Sequence, residues 1–141
     1  MLPSRCDTDT IVIANQGMTN SATVTGSVDT NGADYATIRI SLASEINTNA
    51  IGPTISVLQS DTTDSTNFAT LVADEAAVDI TAAASLHYGV DMRGKKRYLK
   101  VSITTETTTN DNCEVSALAT LSRKSSGPSG TTGIADVVHF L

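Results

Sequence analysis

Arg97-Tyr98-Leu99-Lys100-Val101-Ser102-Ile103-Thr104-Thr105 is the stretch whose reading decides the fold. Leu99, Val101 and Ile103 alternate with Tyr98, Lys100, Ser102 and Thr104. A period of two sends the first set to one face of an extended chain and the second set to the other. β-Branched residues suit that pleated surface. The segment therefore reads as a strand with Leu99, Val101 and Ile103 turned inward.

Similar bursts lie on both sides of it. Downstream, the polar turn Glu106 to Asn112 leads into Val115, Ala117, Ala119 and Leu121, again at every second position. Upstream, Arg93-Gly94-Lys95-Lys96 reads as a basic turn after a short strand from Leu86 to Asp91. Ala36, Ile38, Ile40 and Leu42 alternate with Tyr35, Thr37, Arg39 and Ser41, and Pro53 opens a further run from Thr54 to Gln59 in which Ile55 and Val57 share a face. Nearer the start, Thr10 to Ala14 is a compact apolar run, and Gln16 to Asn20 reads as a turn. Ala22, Val24, Gly26 and Val28 then alternate with Thr23, Thr25 and Ser27. Asp29-Thr30-Asn31-Gly32 ends that strand, and Asn-Gly is a hairpin signal. Glu45 to Asn49 and Ser60 to Asn67 have loop and turn composition.

Phe68 to Ala84 is the ambiguous part. Phe68, Leu71, Val72 and Ala76 stand at helical spacing, with Asn67 as a candidate cap. Val78 and Ile80 resume alternation. The expectation is a short helical turn or irregular connection followed by a strand edge. Seven or eight strands at near-regular spacing predict an all-β chain: an antiparallel β-sandwich or jelly-roll-like barrel with extended termini. Its core is expected to hold Ile38, Ile40, Leu99, Val101, Ile103, Val115 and Leu121.

The chain has 141 residues, enough for one domain with a real core. Residues 1–9 read as an N-terminal arm and 10–124 as the sandwich. Residues 125–141 form a linker, Ser125-Ser126-Gly127-Pro128-Ser129-Gly130-Thr131-Thr132-Gly133, followed by an apolar arm. That arm carries Ile134, Val137, Val138, Phe140 and Leu141, which are costly to leave in water. It either folds back as an edge strand or adds to a neighbouring subunit. The second option is the expectation here, because a Gly-rich tether can reach another protomer.

Aromatics make up 4% of the chain and charged residues 17%, with Thr, Ser and Ala in their place. A surface of that kind suits close repetitive packing, although β-sheet bias alone also enriches threonine. The net charge of −6 and pI near 4.6 argue against duplex nucleic acid and anionic membrane as direct partners. No apolar run reaches the roughly 18 residues of a membrane-spanning helix. No secretory leader is visible at Met1 to Asp9, so assembly in a cytoplasm is expected. Cys6 falls in the arm and Cys113 in a turn. They match no zinc or redox spacing, and two free thiols are favoured over a bridge between them.

Chemistry-bearing patterns are scarce. His87 and His139 have no partner at metal or triad spacing. Asp61, Thr62 and Asp64 lack the glycine and terminal glutamate of a calcium loop. No catalytic residue, cofactor or metal site is expected. The concentrated positive charge is Arg93, Lys95, Lys96 and Arg97, which either grips an acidic neighbour or forms a solvated turn.

One longer pattern remains. Tyr88 to Ile103 contains Gly94-Lys95-Lys96-Arg97-Tyr98 and the alternating strand. A polar turn, Val115 to Arg123 and Gly127-Pro128 follow, and Val57-Leu58-Gln59-Ser60-Asp61 leads upstream to Phe68. Over Thr54 to Pro128, about half the chain, this resembles small virion proteins of tailed bacteriophages, in particular capsid decoration (cement) proteins. The resemblance implies a structural protein on the capsid exterior. It would bind the major capsid protein and itself, as a homotrimer or other homo-oligomer, and stabilise the head. The alternative is a carbohydrate-binding or adhesin-like sandwich. Sugar platforms favour Trp and Tyr, and this chain has no Trp and only Tyr35, Tyr88 and Tyr98.

Overall fold

Among the described residues, the alternation in the sequence is realised as nine strands in two sheets. The computed structural model describes residues 8–19, 21–45, 53–76, 84–105, 112–122 and 137–140. The strands are β1 (Thr8–Met18), β2 (Thr23–Asp29), β3 (Tyr35–Glu45), β4 (Thr54–Ser60), β5 (Ala69–Ala76), β6 (Ala84–Asp91), β7 (Tyr98–Thr104), β8 (Asn112–Ser122) and β9 (Val137–Phe140). One sheet has the order β1-β8-β3-β6-β9 and the other β2-β7-β4-β5. Among the described residues the only helix is one 3-10 turn, Ser65–Asn67. The chain is all-β and β-sandwich-like, and neither sheet closes into a barrel.

The pairing is nested. β1 pairs with β8, β2 with β7, β3 with β6 and β4 with β5, all antiparallel, while β3–β8 and β4–β7 contacts complete the two sheets. Among the described strands that follow one another in sequence, only β4 and β5 pair. Asn31-Gly32 therefore closes no hairpin. Gly32 does take the left-handed conformation, φ 81°, but the turn carries the chain from one sheet to the other. Backbone turn chemistry is local, whereas the partner of each strand is not.

The inward faces meet in one core that includes Ile13, Ile38, Ile40, Ile55, Val57, Tyr88, Leu99, Val101, Ile103 and Val115. Each large side chain buried there contributes roughly 1.5–3 kcal/mol. Six of the seven expected core residues are buried. Leu121 is only partly so, because it lies near the end of β8 where the buried neighbour is Ser122. Tyr35, expected outward, is buried at the start of β3, with the Arg93 guanidinium 5.3 Å from its ring centroid.

Two edge strands depart from the sequence reading for one reason. In β1, the register to β8 shifts between Ile11 and Ile13 and again between Ile13 and Gln16, each time with an extra residue on the β1 side. These irregularities scramble the alternation, so β1 runs through Gln16-Gly17-Met18 where a turn was expected. It also takes Thr8 and Asp9 from the expected N-terminal arm; residues 1–7 lie outside the described residues. In β5, the register to β4 shifts on both sides of Val57, with extra residues in β5. That is why Phe68, Leu71, Val72 and Ala76 mimic helical spacing, while Ala69 to Ala76 is a strand. The helical turn sits just before it, capped by Asp64 rather than Asn67. Val78 and Ile80 lie outside the described residues. Bulged edges resist pairing with other chains.

Cys113, expected in a turn, is in β8 opposite Met18 and Ser44. Cys6 lies outside the described residues. The C-terminal segment is also placed differently from the favoured expectation. Val137–Phe140 pairs in parallel with Leu86–Gly89 and becomes the edge of its own sheet. Parallel neighbours need a long crossover, and residues 123–136 supply the necessary length between β8 and β9.

Candidate interaction surfaces

One end of the sandwich gathers the expected basic cluster. Arg93 follows β6, Lys95 and Lys96 occupy the β6–β7 turn, and Arg97 precedes β7. Gly94 has φ 77°, which suits glycine in this tight reversal. Hydrogen bonds fasten the turn to its surroundings. Thr30 N–H donates to the Arg97 carbonyl at 2.9 Å, Met92 N–H to the Asp34 carbonyl at 2.9 Å, and Lys96 N–H to Gln59 Oε1 at 3.1 Å. Thr30 Oγ1 also donates to the Arg97 carbonyl.

The guanidiniums are held by carboxylates. Arg93 Nε and Nη2 donate to Asp91 Oδ1 and Oδ2 at 2.9 and 2.6 Å. Arg97 makes the same two-pronged contact to Asp29, at 2.9 and 2.6 Å. Lys96 Nζ lies 3.6 Å from Asp61 Oδ2. The hydrogen bond from the Arg93 side chain, aided by its backbone N–H, holds the Asp91 carboxyl at about 2, below its ordinary 3.8. The Arg97 side chain likewise lowers Asp29, helped by the Asn31 N–H. Arg93 and Arg97 are raised in return, first by these same bonds. Arg97 stacks over Tyr98 at 5.1 Å and Lys100 over Phe68 at 4.9 Å. The positive cluster is thus interleaved with acids. Lys95 is outside these three pairs, although its charge also acts on Asp91.

The acidic loop after β4 is occupied by local bonds. Asp64 Oδ1 accepts from the Thr66 N–H at 3.0 Å and its hydroxyl at 2.9 Å, which lowers the Asp64 carboxyl. Asn67 Nδ2 donates to Thr62 Oγ1 at 3.3 Å, while Asp61 faces Lys96. Among the described residues no three His, Cys, Asp or Glu side chains stand together as a metal site. His87 is buried in β6, with Ser85 Oγ 3.3 Å from its Nε2, and among the described residues its Nδ1 has no hydrogen-bond partner. His139 belongs to β9, opposite Tyr88.

Of the expected C-terminal contact residues, Val137, Val138 and Phe140 fall in β9, whereas Ile134 and Leu141 lie outside the described residues. Strand β9 runs parallel to β6, so its Phe140 end lies towards the end of β6 from which the basic turn leaves.

A third surface was not singled out by position in the sequence. On the outward face of the four-stranded sheet, Thr23, Thr104 and Thr54 stand in register across β2, β7 and β4, and the next row is Thr25, Ser102 and Ser56. Thr23 and Thr104 hydroxyls are 3.0 Å apart. Adjacent strands lie about 4.8 Å apart, and second neighbours along a strand about 6.8 Å apart, so the six hydroxyls form a near-regular grid. The threonine enrichment pointed to such a face, but strand partners were needed to locate it. The acids that pair with the basic turn were missed for the same reason in Asp29 and Asp61. Asp91 was legible, two residues before Arg93.

No protein-family model matches this chain, and no curated protein is significantly similar to it in sequence.

Proposed function

We propose that this chain is a structural virion protein of a tailed bacteriophage, a decoration protein that binds the outside of the major capsid lattice and stabilises the head. The observation that carries the reading is the hydroxyl grid on the four-stranded sheet, a charge-free patch of short side chains across β2, β7 and β4. Such a face has no charge to desolvate, and its hydroxyls can hydrogen-bond to a repetitive partner lying close against it. Many weak contacts repeated over a lattice add up through multivalency.

Two further features support the reading. The nested strand order, β1-β8-β3-β6 against β2-β7-β4-β5, is what folding one long hairpin over itself generates. That order supports reading the sandwich as a jelly roll, an architecture common in capsid and lectin domains. The residues behind the resemblance to phage decoration proteins also build a definite part of the fold: Tyr88 in the core, Gly94 in the turn, and Val101 and Ile103 in β7. In this reading the protein acts as a homo-oligomer, its functional location is the capsid exterior, and its role is mechanical rather than enzymatic.

The experiment is a copy-number measurement on purified particles, coupled to a heat or osmotic challenge of the heads. Stoichiometric copies on the head, and heads that burst more readily when the protein is omitted, are expected. A few copies at the tail tip, with glycan binding, would replace the proposal with the adhesin reading.

A further inference from the structure

We propose that His87 makes the docking of the C-terminal strand acid-sensitive, so that protonating this one side chain releases β9 from the edge of β6. Leu86, Tyr88 and Val90 point into the core, and the alternation sends His87 and Gly89 to the other face. Both are nevertheless buried, His87 to 9% exposure, so β6 is covered on both faces. Of the β3 residues in register with them, Arg39 is exposed and Thr37 half-buried.

The hydrogen bonding suits the neutral ring alone. A neutral imidazole has one donor and one acceptor nitrogen, whereas the charged ring has two donors. Ser85 Oγ, 3.3 Å from Nε2, can accept one of them. Nδ1 is buried and has no partner among the described residues. A proton on both nitrogens would bury an N–H and a positive charge without an acceptor.

The charged surroundings act in the same direction. From β3, the residue in register with His87 is Arg39, a second cation. Beyond it on β8 stands Leu118, which is uncharged. From β9, the register partner is Val138, and the only titratable residue among Val137–Phe140 is His139, opposite Tyr88. On β6 itself the nearest charge is Asp91, already committed to Arg93. No carboxylate in this set faces His87. Burial first, and Arg39 second, accordingly lower the His87 pKa from 6.5.

Something has to yield when the ring is protonated, and the two neighbours of β6 differ in strength. β3 pairs with it over eight registered positions, from Tyr35 to Leu42, and is central to the sheet. β9 pairs over four and is a terminal edge. Undocking β9, the shorter of the two pairings, frees the edge of β6 beside His87 at the smallest loss of structure. The sign follows from linkage. The released state takes up the proton at the ordinary 6.5, the docked state only at lower pH, so acid favours release. The docking constant falls by about tenfold per pH unit between those two values.

The test is an NMR titration of the intact, isotope-labelled chain from about pH 7.5 to about pH 5, the range of histidine ionisation. Backbone amides of Val137–Phe140 are expected to move to unstructured positions in step with protonation of His87, while β3 and β7 amides stay in place. His139→Gln should leave the transition intact, and His87→Gln should remove it. Arg39→Gln, at an exposed position, should move the midpoint up towards 6.5, and it decides the matter if His87→Gln does not fold. Strand β9 amides that stay put across the range, a transition abolished by His139→Gln, or a midpoint unmoved by Arg39→Gln would each overturn the proposal.

Discussion

The two sheets treat their outward faces differently. On the four-stranded sheet, β7 is buried on one side only: Leu99, Val101 and Ile103 are in the core, while Lys100, Ser102 and Thr104 reach partly into solvent among other hydroxyls. On the five-stranded sheet, β6 is buried on both sides, with Tyr88 inward and His87 outward. The difference shows in the sequence as a difference in clarity. Strand β7 reads as a strand at once, because its polarity changes at every residue. Strand β6, Ala-Ser-Leu-His-Tyr-Gly-Val-Asp, has a blurred pattern, because small and amphipathic residues serve a covered outer face. A strand wet on one face announces its orientation, and a strand dry on both conceals it.

The largest expected effect tests what the two sheets share. Val101→Asp places a carboxylate in the common core, where Val101 is 1% exposed. An unpaired charge there should cost more than about 4 kcal/mol and leave the chain unfolded or insoluble. A soluble variant with an unchanged melting curve would show that β7 is not the inner strand described here.

Gly26→Ala tests where the sheets touch. Glycine is required at this point of β2 because a Cβ would lie 1.9 Å from the Val12 carbonyl oxygen of β1 and 3.0 Å from Ile13 Cγ1. The backbones must separate to admit it, at roughly 1–3 kcal/mol. Urea denaturation should report that loss. The same substitution at Gly17, which has nothing within 4 Å, should cost much less.

Acid should sharpen the contrast between the paired corner and the rest of the surface. Asp91 is held at about 2 by Arg93, against 3.8 when unpaired. The sign is that of a lowered carboxylate: its contribution is complete above 3.8 and is lost as pH falls from there to about 2. Asp91→Asn should therefore flatten the part of the stability–pH curve that lies in this window. An identical curve for the variant would mean that the exposed pair adds nothing measurable, as many surface pairs do.

The smallest effect belongs to the hydroxyl grid. Thr25 is exposed on the outward face of β2, so Thr25→Ser should change folding stability by no more than about 0.5 kcal/mol. A bulky charge at the same place, Thr25→Lys, should also leave the domain folded yet weaken attachment to capsids measurably. Undiminished attachment would move the proposed contact to another face.

Much of this architecture was already in the chain. Alternation identified β2, β3, β4, β7 and β8 and put Ile38, Ile40, Leu99, Val101, Ile103 and Val115 on inward faces, because the side-chain period of a strand is a local property. Bulged β1 and β5 were distorted in the reading, since an extra residue shifts the period exactly where the partner strand imposes it. The basic turn was visible as charge, but its neutralisation was not: Asp29 lies 68 residues from Arg97 and reaches it only through the β2–β7 ladder. Strand partners were beyond local reading altogether. Backbone ladders carry no side-chain signature, so nothing in Asn31-Gly32 says that β2 and β3 belong to different sheets. By itself, the sequence determined the strands whose alternation is unbroken and which of their faces seek the core. Only the tertiary structure decided which strands meet, because that choice depends on burying every apolar face at once while leaving no inner strand without two neighbours.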